Sequence, residues 1–188
     1  MGSDEVKELC AAIYQKHKKA IDLIIENRPD TLMLVRDIVF RWAKEKAKEN
    51  KIIFDRNMPK MNSIRYIRFQ TEYMSRLLPD AQDAESAWHT NSYYYYEIVN
   101  VNGHELTIQL AVNSDNIPED LRNASDRIEK HFPSPKRSDN WRYRYPMRTA
   151  TYPLPDDLSE SEIFRLLDLM LKDVFVFEEK LKQKLSEQ

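Results

Sequence analysis

Glycine occurs only twice in the 188 residues of this chain, at Gly2 and Gly103. Loops that cradle phosphate groups need several glycines, because the backbone must approach the anion closely and adopt positive φ angles. Two widely separated glycines cannot build such a loop. The composition therefore argues against P-loop NTPases, dinucleotide-binding folds of the usual pattern and protein kinases.

The remaining composition is that of a globular protein, with 41% apolar and 32% charged residues. Cys10 is the only cysteine, which excludes an intramolecular disulfide and a cysteine metal cluster. No apolar run approaches the roughly 20 residues that span a membrane. We therefore expect a cytoplasmic protein without cofactors. Since the net charge is only -2, any nucleic-acid surface must be local.

The first quarter of the chain has helical periodicity. Val6, Cys10, Ile13, His17, Ala20 and Ile24 recur at spacings of four and three, which predicts a helix over residues 4–27. A break around Pro29 precedes a second predicted helix that runs to about Asn50. Two helices joined by a short break indicate a helical hairpin over residues 4–50.

Residues 51–188 alternate between strand and helix patterns. The stretches 64–69, 93–101, 104–113 and 141–152 favour strands. Asn102-Gly103 predicts a two-residue hairpin turn with positive φ at both positions. In the strand after this turn we expect one buried face and one wet or lightly covered face. We interpret the run Tyr93–Tyr96 as core packing.

Three further segments are predicted to be helical: residues 72–78, a helix opened by Pro118, and a long final helix opened by Ser159, with Glu162 at capping-box spacing. The final helix carries an apolar heptad stripe, predicted to pack against residues 4–27 or to form a homodimer. The predicted fold is α+β: a mainly antiparallel sheet of at least four strands, an N-terminal helical hairpin and a long C-terminal helix. We expect one domain over residues 1–188, with the α+β body at 51–188.

Basic and aromatic residues provide the best candidate binding surface. Residues 36–68 contain a marked excess of basic residues, whereas 69–126 are acidic. Clustered arginines and lysines bind phosphates, and a neighbouring ring can stack on a base. The alternative is that the arginines pair with the acidic segment or with the last helix. The candidate nucleic-acid-binding residues are Arg65, Arg68, Trp88, Lys136, Arg137, Arg142, Arg144 and Arg148.

Catalytic signals are weak. The four histidines lack metal-ligand spacing, and no nucleophile motif is present. His89 follows Trp88 and precedes the tyrosine-rich strand, so a spatially assembled site near His89 and Glu97 remains open. We predict no catalytic or metal-ligating residue from sequence patterns.

Several short segments resemble the region downstream of the catalytic core in bacterial and phage proteins of the PD-(D/E)XK nuclease superfamily. They are Ile64–Thr71, Leu77–Pro79, Trp88–Asn91 and Tyr95–Asn100, followed by a basic strand and a long charged helix. The metal-binding Asp and the Glu-x-Lys strand of that core are absent, so no nuclease residue can be carried over. The resemblance implies an excised accessory half or a free-standing relative, associated with DNA or with host–phage conflict.

Three functions follow as hypotheses. The first is a non-catalytic, nucleic-acid-associated accessory module that binds DNA or RNA. The second is a protein-interaction or oligomerisation domain, for instance an inhibitor or subunit in a defence system, that acts through amphipathic terminal helices. The third is an enzyme with a site near His89 and Glu97.

Overall fold

The computed structural model describes residues 3–26, 30–54, 62–135, 142–154 and 159–187. These residues form five helices and five strands of an α+β fold, as predicted. The elements in chain order are α1 (Ser3–Glu26), α2 (Thr31–Lys48), β1 (Tyr66–Phe69), α3 (Glu72–Leu77), β2 (Tyr94–Asn100), β3 (Glu105–Asn113), α4 (Glu119–His131), β4 (Tyr143–Arg148), β5 (Tyr152–Pro153) and α5 (Glu160–Ser186).

The chain divides into two compact units, residues 1–30 and residues 31–188. Helix α1 therefore stands in a unit of its own, and α2 belongs to the unit that contains the sheet. The prediction of one domain over 1–188 remains a prediction. The N-terminal pair of helices and the long C-terminal helix are confirmed.

The strands form one antiparallel sheet in the order β1-β2-β3-β4, with β5 also paired to β3. The predicted antiparallel sheet of at least four strands is thus confirmed. The single predicted strand over 141–152 is divided in the structure into β4 and β5. Between the pairs Leu110–Met147 and Val112–Arg144, β4 contains one more residue than β3, which makes a β-bulge.

The turn between β2 and β3 differs from the predicted two-residue turn. It spans residues 101–104, and only Gly103 of the two central residues has a positive φ, of 75°. The side chain of Asn100 closes this turn, because its Oδ1 accepts a hydrogen bond from the Gly103 amide at 2.9 Å. The hairpin was therefore predicted correctly and its turn type wrongly.

The two faces of the sheet have different neighbours. On one face, which we call the helix face, Phe69 and Tyr96 stack on each other and Phe69 also contacts Trp42 of α2. The opposite face, which we call the outer face, carries Glu97 and Gln109. Both are at least 90% buried, so the prediction of a wet or lightly covered second face on β3 is wrong.

Helix α5 packs against α2, α4 and β3. Its apolar stripe is buried in the core of residues 31–188, and the stripe contains Ile163, Leu167, Met170, Leu171, Val174, Phe177 and Leu181. The heptad pattern predicted a packing surface correctly, and the body itself supplies the partners. The N-terminal Ser159 makes no side-chain cap hydrogen bond to α5, so the predicted capping box is not formed.

A buried carboxylate joins α5 to the helix face of the sheet. Glu178 is 5% exposed, and its Oε1 accepts hydrogen bonds from Thr71 Oγ1 at 2.5 Å and Tyr96 Oη at 3.0 Å. Burial raises the pKa of Glu178, and the two hydrogen bonds partly oppose this effect. Thr71 is also the N-cap of α3, so this carboxylate connects three elements.

The raised pKa of Glu178 predicts a pH dependence of stability. Such a carboxyl holds its proton more tightly in the folded state, so its contribution to stability is full at low pH and decreases as pH rises towards the folded-state pKa. Glu178→Gln keeps an acceptor for Thr71 and Tyr96 without ionising. Between about pH 4 and pH 7 this variant should therefore gain stability relative to the wild type, as measured by urea unfolding.

Glu179→Gln is the matched control, because Glu179 lies next to Glu178 in the sequence but is exposed and pairs with Lys182. It should not remove the pH dependence. An equal pH dependence in wild type and Glu178→Gln would contradict the buried, proton-binding role of Glu178.

Candidate functional site

Four polar side chains form a row across the outer face, one from each of the four main strands. Arg68 of β1 lies opposite Glu97 of β2, Glu97 opposite Gln109 of β3, and Gln109 opposite Arg148 of β4. Directly opposed residues in antiparallel strands project from the same face. The strand register therefore brings two of the predicted binding arginines into one row.

The centre of this row is a buried ion pair. Arg68 donates from Nε and Nη2 to Glu97 Oε1, each at 2.9 Å, and Gln109 Nε2 donates to Glu97 Oε2 at 2.9 Å. The side chains of Arg68 and Glu97 are only 11% and 5% exposed. Arg68 is thus committed to balancing a buried carboxylate, which reduces its capacity to bind phosphate.

Aromatic rings cover this ion pair. The half-buried Trp88 contacts Tyr95 and Tyr143 at centroid distances of 5.0 and 4.9 Å. The Arg68 guanidinium lies 6.0 Å from the Trp88 ring and 5.4 Å from the Tyr66 ring. Such cation–π contacts favour a desolvated arginine. Trp88 therefore packs over the charged row, and its predicted role in stacking on a base remains a prediction.

Two other predicted arginines are paired with acidic residues of the segment 69–126. Arg144 Nη1 lies 2.6 Å from Asp126 Oδ1 of α4, and Arg142 Nε lies 3.6 Å from Asp115 Oδ2. Arg144 consequently projects from the helix face, away from the row. The sequence leaves open that the arginines pair with the acidic segment. The structure confirms this pairing for Arg142 and Arg144.

The remaining predicted binding residues divide into two groups. Arg65 and Arg148 are exposed, and neither forms an ion pair within the part of the chain that the structure describes. Lys136 and Arg137 lie outside the described residues. Arg65 immediately precedes β1 and Arg148 ends β4, at opposite edges of the sheet. The predicted basic residues are therefore dispersed.

Two basic residues of the stretch 36–68 pair with acidic residues of α5. Arg41 of α2 forms an ion pair with Glu160 of α5 at 2.8 Å. One turn and a half further along α2, Lys46 contacts Asp168 of α5 at 3.0 Å. Both ion pairs join α2 to α5, the two helices that also share an apolar contact. Part of the local excess of positive charge in the sequence thus serves the pairing of α2 with α5.

No hydrogen bond or ion pair joins His89 to Glu97 among the described residues. His89 is exposed, has a φ of 58°, and its Nδ1 lies 3.5 Å from Glu85 Oε1. Glu97 is instead bonded to Arg68 and Gln109. A cleft of about 670 Å³ is lined by Pro79 to Ala84, Pro118 and Asp120, and it contains neither residue. A reaction site shared by His89 and Glu97 therefore stays a hypothesis.

Side chains that could ligate a metal do not cluster in the part of the chain that the structure describes. No group of three or more His, Cys, Asp or Glu suited to a metal ion occurs among the described residues. None of the helices in the described ranges is long and apolar enough to cross a membrane.

Helix α1, which is predicted to pack against the final helix, carries exposed apolar side chains. Seven large apolar side chains of α1 are between 39% and 68% exposed: Val6, Leu9, Ile13, Tyr14, Leu23, Ile24 and Ile25. We call this set the α1 apolar surface. Cys10 and His17, which belong to the same helical repeat, are exposed too, and the helix is kinked at His17. The helical repeat of residues 4–27 is thus present in α1, and its packing against the final helix remains a prediction.

Comparison with protein-family models, curated protein sequences and solved structures gives no match to this chain.

The buried ion pair leads to a stability prediction that separates structural from binding arginines. Arg68→Met leaves Glu97 buried without its cation, which should cost about 3–5 kcal/mol of the free energy of unfolding. Arg144→Met removes a more exposed pair and should cost at most about 1 kcal/mol. Urea unfolding of the two variants measures the difference. Adding Glu97→Leu to Arg68→Met should recover stability, and equal losses in the two single variants would contradict the assignment.

Proposed function

We propose that this protein is a protein-interaction or oligomerisation domain, in which α1 supplies the binding helix and residues 31–188 form the folded body. The observation that carries the proposal is the α1 apolar surface. Exposed apolar surface on this scale is characteristic of interaction sites in folded proteins. Most helical stability in proteins comes from packing of an apolar face, so a partner on this face would stabilise α1.

Residues 31–188 form a folded body whose own apolar stripes are already covered. Its own apolar stripes on α2, α4 and α5 are buried, and its arginines are mostly paired with carboxylates. These helix faces and arginines are therefore less available to a partner than the exposed apolar side chains of α1. The interaction hypothesis, which we derived for both terminal helices, is accordingly narrowed to the N-terminal one.

Photo-crosslinking tests this proposal without requiring that the partner be identified first. The full chain, with p-benzoyl-phenylalanine replacing Ile13, should give covalent protein adducts when irradiated in the cells that express it. Gln15 is the matched control, because two residues along a helix place it on the opposite side. Absence of adducts at position 13, or equal yields at 13 and 15, would contradict the proposal.

A second candidate function is nucleic-acid binding through the edges of the outer face. The observation in its favour is Arg148, which is exposed beside the buried row and has no acidic partner among the described residues. Arg65, at the other edge, is similar in this respect. The rings of Trp88, Tyr95 and Tyr143 lie on the same face. Arg65 and Arg148 would contact the phosphates of a nucleic-acid strand bound across this face.

A salt titration tests this second candidate. If the full chain binds an oligonucleotide at low salt, the double variant Arg65→Glu with Arg148→Glu should bind more weakly. It should also lower the slope of log affinity against log salt by about 2 in magnitude. Lys180→Glu on α5 is the charge-matched control, since Lys180 is exposed and forms no ion pair in the described part of the chain. No binding at low salt, or identical slopes, would exclude this function.

A further inference from the structure

The turn between β2 and β3 contains the one Asn–Gly pair of the sequence, Asn102-Gly103. Asparagine is among the chemically labile residues of proteins. Its deamidation requires the backbone nitrogen of the next residue to reach the side-chain carbonyl carbon, and glycine permits this most readily because it has no Cβ. Asn102 is exposed, so water reaches its side chain. This turn therefore contains the pair of residues in the chain that is most prone to deamidation.

Deamidation at this pair consumes only water. The Gly103 nitrogen attacks Cγ of Asn102, and the new N–Cγ bond replaces the bond from Cγ to Nδ2. Ammonia leaves with the proton of the Gly103 amide, and a cyclic succinimide remains. Water then opens the ring at either carbonyl carbon, which gives aspartate or isoaspartate at position 102. No electrons are exchanged, so the only group that the protein must supply is the Gly103 nitrogen.

The side chain of Asn100 holds this nitrogen in place. Its Oδ1 accepts a hydrogen bond from the Gly103 amide at 2.9 Å, and its Nδ2 donates to the Leu32 carbonyl oxygen at 3.3 Å. One partner is a donor and the other an acceptor, which determines the orientation of the Asn100 amide. Asn100 is only 3% exposed, so both bonds are shielded from water. The proton that deamidation must remove is thus engaged in a buried hydrogen bond.

Packing against the start of α2 also restricts Gly103. The glycine is buried and has a φ of 75°. A Cβ built on it would lie 3.1 Å from the backbone nitrogen of Leu32 and 3.1 Å from side-chain atoms of Thr31. The backbone therefore has little room for the rotation that would bring the Gly103 nitrogen to Cγ of Asn102.

We propose that Asn102 is a deamidation site of this protein and that Asn100 slows the reaction by binding the Gly103 amide. The hydrogen bond must break before the nitrogen can attack, so the reaction proceeds through molecules in which the turn has opened locally. A hydrogen bond of ordinary strength slows such a step about fivefold, the equivalent of about 1 kcal/mol. The site lies within residues 31–188 and is independent of the function proposed for α1.

The products would alter the contact between this hairpin and α2. Both replace a neutral side chain by a carboxylate, and isoaspartate also adds one carbon to the path of the backbone. Gly103 already lies close to Thr31 and Leu32, so a longer turn displaces it from them. The hydrogen bonds of Asn100 to Gly103 and Leu32 would be weakened by the same displacement.

Peptide mass spectrometry after prolonged incubation of the full chain in mildly alkaline buffer measures the rate at position 102. Asn100→Ala removes the acceptor and should raise this rate about fivefold or more. Asn100→Asp is the matched control, because it keeps an acceptor for the Gly103 amide and loses only the donor to Leu32. Its rate should stay near that of the wild type. Near-ultraviolet circular dichroism checks that both variants are folded, and equal rates in Asn100→Ala and wild type would overturn the proposal.

A comparison within the wild-type chain decides the proposal even if Asn100→Ala does not fold. Unfolding in urea breaks the hydrogen bond of Asn100 and the packing of Gly103 together. The rate at position 102 should therefore be at least about fivefold higher in the unfolded chain than in the folded chain. Equal rates in the two states, or an unfolded chain that stays unmodified at position 102, would overturn the proposal.

Discussion

The contact of α5 with α2, α4 and β3 determines how the rest of this molecule is arranged. The apolar stripe of α5 fills the centre of the core, and Glu178 connects the same helix to β2 and to the N-cap of α3. Arg41 and Lys46 of α2 also form ion pairs with residues of α5. Because this packing lies within residues 31–188, the seam of α5 is not exposed for a partner.

Contacts within the fold also determine which charged residues are available to a ligand. Sequence reasoning treated the basic stretch and the basic strand as a phosphate-binding surface. In the fold, Arg68 neutralises Glu97, Arg144 pairs with Asp126, and Arg41 pairs with Glu160. A buried carboxylate such as Glu97 requires a cation more strongly than a solvated phosphate attracts one, since an unpaired buried charge is costly. Of the predicted arginines that the structure describes, the exposed Arg65 and Arg148 keep the features expected of phosphate-binding residues.

Local patterns predicted most of the fold. Strand alternation, the hairpin around Gly103 and the helical repeat of α5 each depend on residues close together in the chain, and the corresponding elements are present. The errors concern side chains whose partners are distant in sequence. Glu97 becomes buried because Arg68 and Gln109 of two other strands face it, and β4 is bulged against β3. Neither relation can be deduced without the strand register.

The candidate site was predictable to a smaller degree. The repeat of Val6, Cys10 and Ile13 indicated an apolar helix face, but no pattern in the sequence stated whether another part of the chain would cover it. The dispersal of the arginines was equally hidden, because strand order and the β4 bulge decide which face each side chain occupies. Trp88 illustrates the same limit: its ring covers the Arg68–Glu97 pair because Tyr95 and Tyr143 converge on it from two strands.

We propose that α1 is a binding helix that a partner completes, whereas residues 31–188 are complete without one. Hydrogen–deuterium exchange of the purified full chain tests this most directly, because a helix without its partner opens locally far more often than a packed core. The account predicts that amides in residues 3–26 exchange much faster than those of α5 and the sheet. Protection of α1 that is as strong as that of α5 would contradict it.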